Sequence, residues 1–259
     1  MKIAIVGAGR MGSFFAQEFA KIGHEVAALD RDPSLLAALA DVVTLRDRAE
    51  LKQFEPDILL NAVPLQHTVE AFKELEQTVS PQVVLVDIAS IKGELANYYP
   101  QLGRPFASLH PMFGPTYASM NQLTGHHCIV IAGSDSGVTS LFRGLLENRG
   151  VTFSDASFAE HDQMMAYSLA VPFVSSLVFA GTIDRTAVPG TTFKRHRDTA
   201  QGLLAEDDHL LAEILFAPGT LPQLEKITGR LEYLKHIIRQ QDFSEFQRYL
   251  TTVRDNFER

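Results

Sequence analysis

Three groups of residues have types and spacings suited to chemistry. His110 stands between an apolar run and two prolines in SLHPMFGP, Ser108 to Pro115. Imidazole titrates near neutral pH, so a histidine at a strand end is well placed to take a proton. A histidine before proline can equally serve as a buried strand cap. Ser90 and Lys92 follow a second apolar run in VDIASIKGE. Gly7, Gly9 and Gly12 form a G-x-G-x-x-G pattern in GAGRMG, with Arg10 and Met11 in its variable positions.

These groups need elements that bring them together. The glycine pattern follows an apolar strand, KIAIVG, and opens a helical stretch, RMGSFFAQEFAKIG, in a βαβ unit that ends at Asp30. That context makes it a phosphate loop. Gly7 permits the tight turn, Gly9 lets the backbone approach a pyrophosphate, and Gly12 lets helix and strand pack closely. Free N–H groups at the helix start favour the anion. Asp30 can accept from the adenosine ribose hydroxyls and repels a 2′-phosphate, which favours NAD. Arg31 beside it leaves NADP open. Val63 and Pro64, in NAVPLQ after another strand, should line the cofactor, because ligands lie at the carboxyl ends of strands in such sheets.

Further strands are expected in HEVAALD, PDILLNAVP, QVVLVDIAS, RPFASLH and HHCIVIAG, with helices between most of them. Apolar strands alternating with helices predict a Rossmann-type, doubly wound parallel sheet covered on both faces. The loops of Ser90, Lys92 and His110 should then reach one crevice. No strand is expected after about Ser157. AEHDQMMAYSLAVPFVSSLVFAGTID reads as one long buried helix, kinked at Pro172. TTFKRHRDTAQGLLA, DHLLAEILFA and LPQLEKITGRLEYLKHIIRQ read as further helices. The expected organisation is a nucleotide-binding domain over 1–155 and an all-helical domain over 156–259.

Composition narrows the function. The chain has 259 residues, 46% hydrophobic, with a formal net charge of −8. An acidic chain is a poor binder of nucleic acid. Its one cysteine, Cys128, excludes an internal disulfide, and no spacing suggests a metal site. The N-terminal apolar run is too short for a signal peptide. The most apolar later stretch, broken by Pro172 and serines, falls short of a membrane span. A cytoplasmic protein is expected. His161 and Asp162, adjacent in AEHDQMMA, should point about 100° apart on a helix. That disfavours a shared metal and favours a structural role at the domain junction, near the site.

GAGRMG, DIASIKGE, SLHPMFGP and AEHDQMMA, in this order and spacing, resemble the prephenate/arogenate dehydrogenase family of tyrosine biosynthesis. The likeness covers nearly the whole chain. It implies hydride transfer from a cyclohexadienol acid to NAD, with loss of the ring carboxylate as carbon dioxide. It implies His110 as the base for the substrate hydroxyl, and Ser90, also a cofactor-binding residue, as the group orienting that hydroxyl or His110 beside the nicotinamide ring. It also implies a homodimer through the C-terminal helices, an expectation their amphipathic faces support.

The pattern departs from the family in the substrate pocket. The family's carboxylate-binding arginine falls on or near Gln201 and Gly202, which are uncharged. Lys194, Arg195 and Arg197 lie one to two turns earlier. Of these, Arg197 is the foremost replacement, while a solvated basic turn explains them equally well. Leu169, Ala170 and Phe173 leave one wall apolar where the family often has histidines. Prephenate, arogenate and a 4-amino analogue of prephenate all remain open as substrates. Two further readings stand beside this one. A β-hydroxyacid dehydrogenase or imine reductase would usually place a lysine or aspartate on the long helix, and no lysine occurs there. A nucleotide sensor without turnover would fit the missing arginine but not the retained His110. No regulatory domain is expected, and inhibition by tyrosine at the active site stays open.

Overall fold

The computed structural model describes residues 1–114, 123–184, 186 and 188–257. Pro115, which ends the histidine loop, lies outside them. Among the described residues, eight strands form one sheet: β1 (Lys2–Val6), β2 (Glu25–Leu29), β3 (Val43–Leu45), β4 (Ile58–Asn61), β5 (Val84–Asp87), β6 (Phe106–Pro111), β7 (His127–Ile131) and β8 (Thr152–Ala156). Their order is β3-β2-β1-β4-β5-β6-β7-β8. The first six are mutually parallel. The sheet is parallel-dominant, as expected, but not parallel throughout. β7 pairs antiparallel to β6, and β8 runs parallel to β7. An antiparallel neighbour needs no crossover helix, and such an edge is common on otherwise parallel sheets.

Alternation along each strand feeds two cores. In β1, Ile3 and Ile5 join one cluster, while Ala4 and Val6 join the other. Helix α1 (Arg10–Lys21) covers the first face with Phe14, Phe15 and Phe19. Helix α6 (Ser136–Glu147) adds Phe142, whose ring lies 5.2 Å from that of Phe15 and 5.4 Å from that of Phe19. The second face is covered by α3 (Arg48–Phe54), α4 (Thr68–Leu75) and α5 (Leu95–Tyr98) through Leu51, Phe54, Phe72, Leu75 and Leu95. α1 ends as expected at Gly23, which is left-handed (φ 88°). The N–H groups of Gly23 and His24 close back on Ala20 and Phe19. α2 (Pro33–Leu36) is a single turn, and Asp32 caps it by accepting from the Ser34 N–H.

The chain divides into two compact units, Met1–Met165 with Glu206–Ala217, and Ala166–Ala205 with Pro218–Arg259. The first therefore runs past 155 and takes in a later segment. The reason is packing: α7 (Phe158–Ser168) buries His161 and Met165, and α10 (Asp208–Phe216) packs on the turn Leu65–His67. The second unit is helical among its described residues. It comprises α8 (Ala170–Gly181), α9 (Thr191–Leu203), α11 (Thr220–Gln240) and α12 (Phe243–Asp255), with α8 packed on α9 and α11.

The long buried helix expected from residue 159 onward is neither continuous nor buried. It breaks at Leu169, between α7 and α8. Pro172 has no N–H to offer the Ser168 carbonyl, so the ladder fails one turn before it. Few residues of α8 are buried, and Val178 is exposed. Contrary to expectation, Phe158–Gly181 is long and apolar enough, by length and composition alone, to cross a bilayer.

Candidate active site

The strands β2, β1, β4, β5 and β6 are parallel neighbours, so their carboxyl ends line one edge. Five segments emerge there: Asp30 and Arg31, the glycine loop, Asn61–Pro64, Ile88–Glu94 and the His110 segment.

The three glycines differ in what they do. Gly7 is left-handed (φ 93°), and a Cβ there would lie 2.6 Å from the Ala62 carbonyl. A Cβ at Gly12 would lie 1.9 Å from the Gly7 oxygen. Both glycines are demanded by packing alone. Gly9 is exposed, and a Cβ there would meet nothing within 4 Å. The space above Gly9 lies at the start of α1, where the N–H groups of the first turn have no partner within the helix. That is a cradle for an anion. Met11 is half-buried against the core and Arg10 is exposed.

Asp30 braces this cradle. Its carboxylate accepts from the Ala8 N–H (2.5 Å) and the Asp32 N–H (2.8 Å). Each oxygen keeps a second lone pair that a ribose hydroxyl could use. Arg31 is exposed beside it. Asn61, buried at the end of β4, donates to the Thr68 carbonyl (2.9 Å) and accepts from the Val63 N–H (3.3 Å). It thereby holds half-buried Val63 and exposed Pro64 in place. Asn61 was not singled out from the sequence; a polar residue closing an apolar strand was its only signal.

His110 is 4% exposed. Asp87 stands opposite Ser108 in the β5–β6 register, so Ser90 and His110 both lie just beyond that pair. Ser90 is half-buried, and His110 Nδ1 lies 3.0 Å from His161 Nε2. His161, fully buried, places Nδ1 2.9 Å from Asp162 Oδ1. Asp162 also accepts from the Lys92 N–H (3.0 Å) and the Gly93 N–H (3.1 Å). The first turns of α7 thus tie the serine loop to the histidine strand. Neighbours on a helix do diverge, yet these two meet, and His161 reaches the site itself.

Contrary to the expectation for its loop, the Lys92 side chain does not face the crevice. It is 1% exposed, with Nζ 2.6 Å from Asp87 Oδ2 and 2.7 Å from the Leu109 carbonyl. Tyr99 donates to the other Asp87 oxygen (2.8 Å). A buried ammonium persists only with such partners. Burial lowers the Lys92 pKa although Asp87 opposes it.

Burial also pushes His110 well below its ordinary value, and His161 and Lys92 add to this. Burial lowers His161 too, against the pull of Asp162. Burial alone would raise Asp162, but the bonds from His161, Lys92 and Gly93 hold it below the usual carboxylate value. His110 is therefore neutral near pH 7 and able to accept a proton. Lys194, Arg195 and Arg197 are exposed on α9 in the second unit, and Arg197 lies 3.4 Å from Asp198. Gln201 and Gly202 are exposed on the same helix.

Fold and site define a nucleotide-binding α/β protein with a buried, neutral histidine on the nucleotide edge of its sheet. Residues 15–154 match the family described as prephenate dehydrogenase, nucleotide-binding domain. The chain belongs to the prephenate dehydrogenase family. The T-protein of Haemophilus influenzae is 28% identical over 180 residues, covering 68% of this chain and 43% of that protein. The chloroplastic arogenate dehydrogenase 2 of Arabidopsis thaliana is 23% identical over 247 residues, covering 91% of this chain and 69% of that one. The chain thus spans less than half the length of the T-protein. The crystal structure of prephenate dehydrogenase from A. aeolicus, in complex with hydroxyphenyl propionate and NAD+, shares the fold. Its TM-score is 0.83 at 21% identity, over 100% of this chain and 97% of that one.

Proposed function

We propose that this chain is an NAD-dependent dehydrogenase that oxidises and decarboxylates a prephenate-like ring acid, prephenate or arogenate. One observation carries the reading. The anion cradle of Gly9 follows β1 and the buried His110 lies at the end of β6, on the carboxyl edge of the same run of parallel strands, β1-β4-β5-β6. Family membership and the A. aeolicus complex support it.

Gly7, Gly9, Arg10, Met11 and Gly12 would hold the pyrophosphate, Asp30 and Arg31 would flank the ribose, and Val63 and Pro64 would line the nicotinamide side. Asp30 favours NAD over NADP by charge. NAD, when bound, supplies the hydride acceptor for the hydroxyl-bearing ring carbon, while loss of the ring carboxylate as carbon dioxide aromatises the ring. His110 takes the hydroxyl proton, a contribution of about 10²–10⁴ in rate. Ser90 orients that hydroxyl beside His110. Lys194, Arg195 and Arg197 supply positive charge for the substrate carboxylates, with Arg197 foremost. We further propose that the second unit pairs two copies of the chain, because Val178, Leu221, Leu231, Ile238 and Phe243 are exposed on its helices.

The test is to mix the purified protein with NAD and, in turn, prephenate, arogenate and the 4-amino analogue. NADH absorbance from prephenate or arogenate is the expected result, and NADH from the amino analogue alone would move the substrate class. NAD binding without NADH from any of them would favour a nucleotide sensor.

A further inference from the structure

His161 and Asp162 are not needed to make His110 a base, yet they form a directed chain behind it. Building on the reading of His110 as base, we propose that His161, oriented by Asp162, is a positioning residue. It holds His110 in the Nδ1–H form, which makes Nε2 the proton-accepting nitrogen. It then receives the Nδ1 proton when Nε2 is protonated.

The direction follows from donor and acceptor chemistry. A carboxylate only accepts, so His161 Nδ1, 2.9 Å from Asp162 Oδ1, carries the hydrogen. The Nε2 of neutral His161 is then an acceptor. His110 Nδ1, 3.0 Å away, must be the donor, and the His110 lone pair falls on Nε2. No hydrogen bond engages His110 Nε2 among the described residues, so it stays available. A base held in one tautomer by a third group is the general arrangement of activated histidines.

The same chain has somewhere to put the charge. When His110 Nε2 gains a proton, its Nδ1–H bond breaks as an N–H bond forms at His161 Nε2. His110 ends neutral and His161 ends as an imidazolium beside the Asp162 carboxylate. Charge is conserved, and it moves to the ring that has a counter-ion. The other titratable groups on the surrounding elements leave this direction intact. Lys92, on the loop after β5, is paired with Asp87. Tyr99, on the short helical turn after α5, is raised well above its ordinary value by burial and by Asp87. Cys128 on β7 is pushed up to about 12 by burial. Glu160, on α7, accepts from the Ser157 N–H.

The test uses the full chain labelled with ¹⁵N-histidine, without substrate, with His110→Asn and His161→Gln assigning the resonances. The expected result at neutral pH is hydrogen on Nδ1 of both rings, with His161 protonating first on acidification. In kinetics, His161→Leu should lower kcat about 10²-fold or more, in the range of a lost general base. His161→Gln keeps an acceptor but cannot take a proton. It should recover part of kcat, keep NAD affinity, and move the acid limb of kcat/KM to lower pH. Hydrogen on His110 Nε2 in the wild-type protein would overturn the proposal. So would a His161→Gln protein with an unchanged acid limb. Absence of NADH with every ring acid would contradict the proposed reaction instead, and the tautomer result would still decide this proposal.

Discussion

His110 and His161 are both held below the ordinary histidine value of 6.5, chiefly by burial. The unfolded chain therefore binds more protons than the folded one once pH drops below about 6.5. Their contribution to stability is whole above that value and is lost as pH falls toward the folded values. The slope is at most about 1.4 kcal/mol per pH unit for each group. Urea unfolding across this window should show the midpoint falling with pH, and His161→Gln should flatten the fall. An identical slope in the variant would contradict the buried neutral pair. Lys92→Met should cost about 3–5 kcal/mol, because it strands the Asp87 carboxylate inside the protein. Denaturant titration measures that loss, and unchanged stability would mean that Asp87 does not need its partner. The sequence made His110 and the glycines legible because each sits in a short local pattern. The contact of His110 with His161 was hidden, since it joins residues 51 apart in the chain. Lys92 was misplaced in the crevice because its burial does not show in the local pattern. A lysine after a strand looks free until its counter-ion, Asp87 at the end of that strand, is seen to share its burial.

The glycine loop and first helix separate packing from binding at the scale of the element. Gly9→Ala adds a methyl group to open space, so stability should stay within about 0.5 kcal/mol of wild type, while NAD affinity falls. Gly12→Ala drives a Cβ into the Gly7 carbonyl, so both folding and binding should suffer. Thermal melts with and without NAD distinguish the two. Unchanged NAD affinity in Gly9→Ala would remove the pyrophosphate from this loop. Most strands and helices were readable as period-2 and period-3.6 patterns. The direction of β7 was not, since an apolar run looks the same read either way. Nor was the exposure of α8, whose composition fits a buried helix equally well.

At the scale of the whole molecule, the exposed apolar residues of the second unit are expected to be covered by a second copy. Sedimentation should give about twice the 28.6 kDa chain mass, and Leu231→Glu with Ile238→Lys should return it to the monomer. A monomeric wild-type protein at micromolar concentration would contradict the pairing. Two units were anticipated, but not that Glu206–Ala217 would join the first. Nothing in the local pattern of α10 says which unit it packs on. The glycine loop and His110 are proposed to serve one reaction, and a single assay reports on both. That measurement is the initial rate of NADH formation from NAD and prephenate or arogenate, by the wild-type protein and by His110→Asn. The wild type should form NADH, and the variant should lose about 10²-fold or more in kcat with NAD affinity unchanged. Equal kcat in the two proteins would contradict the proposal.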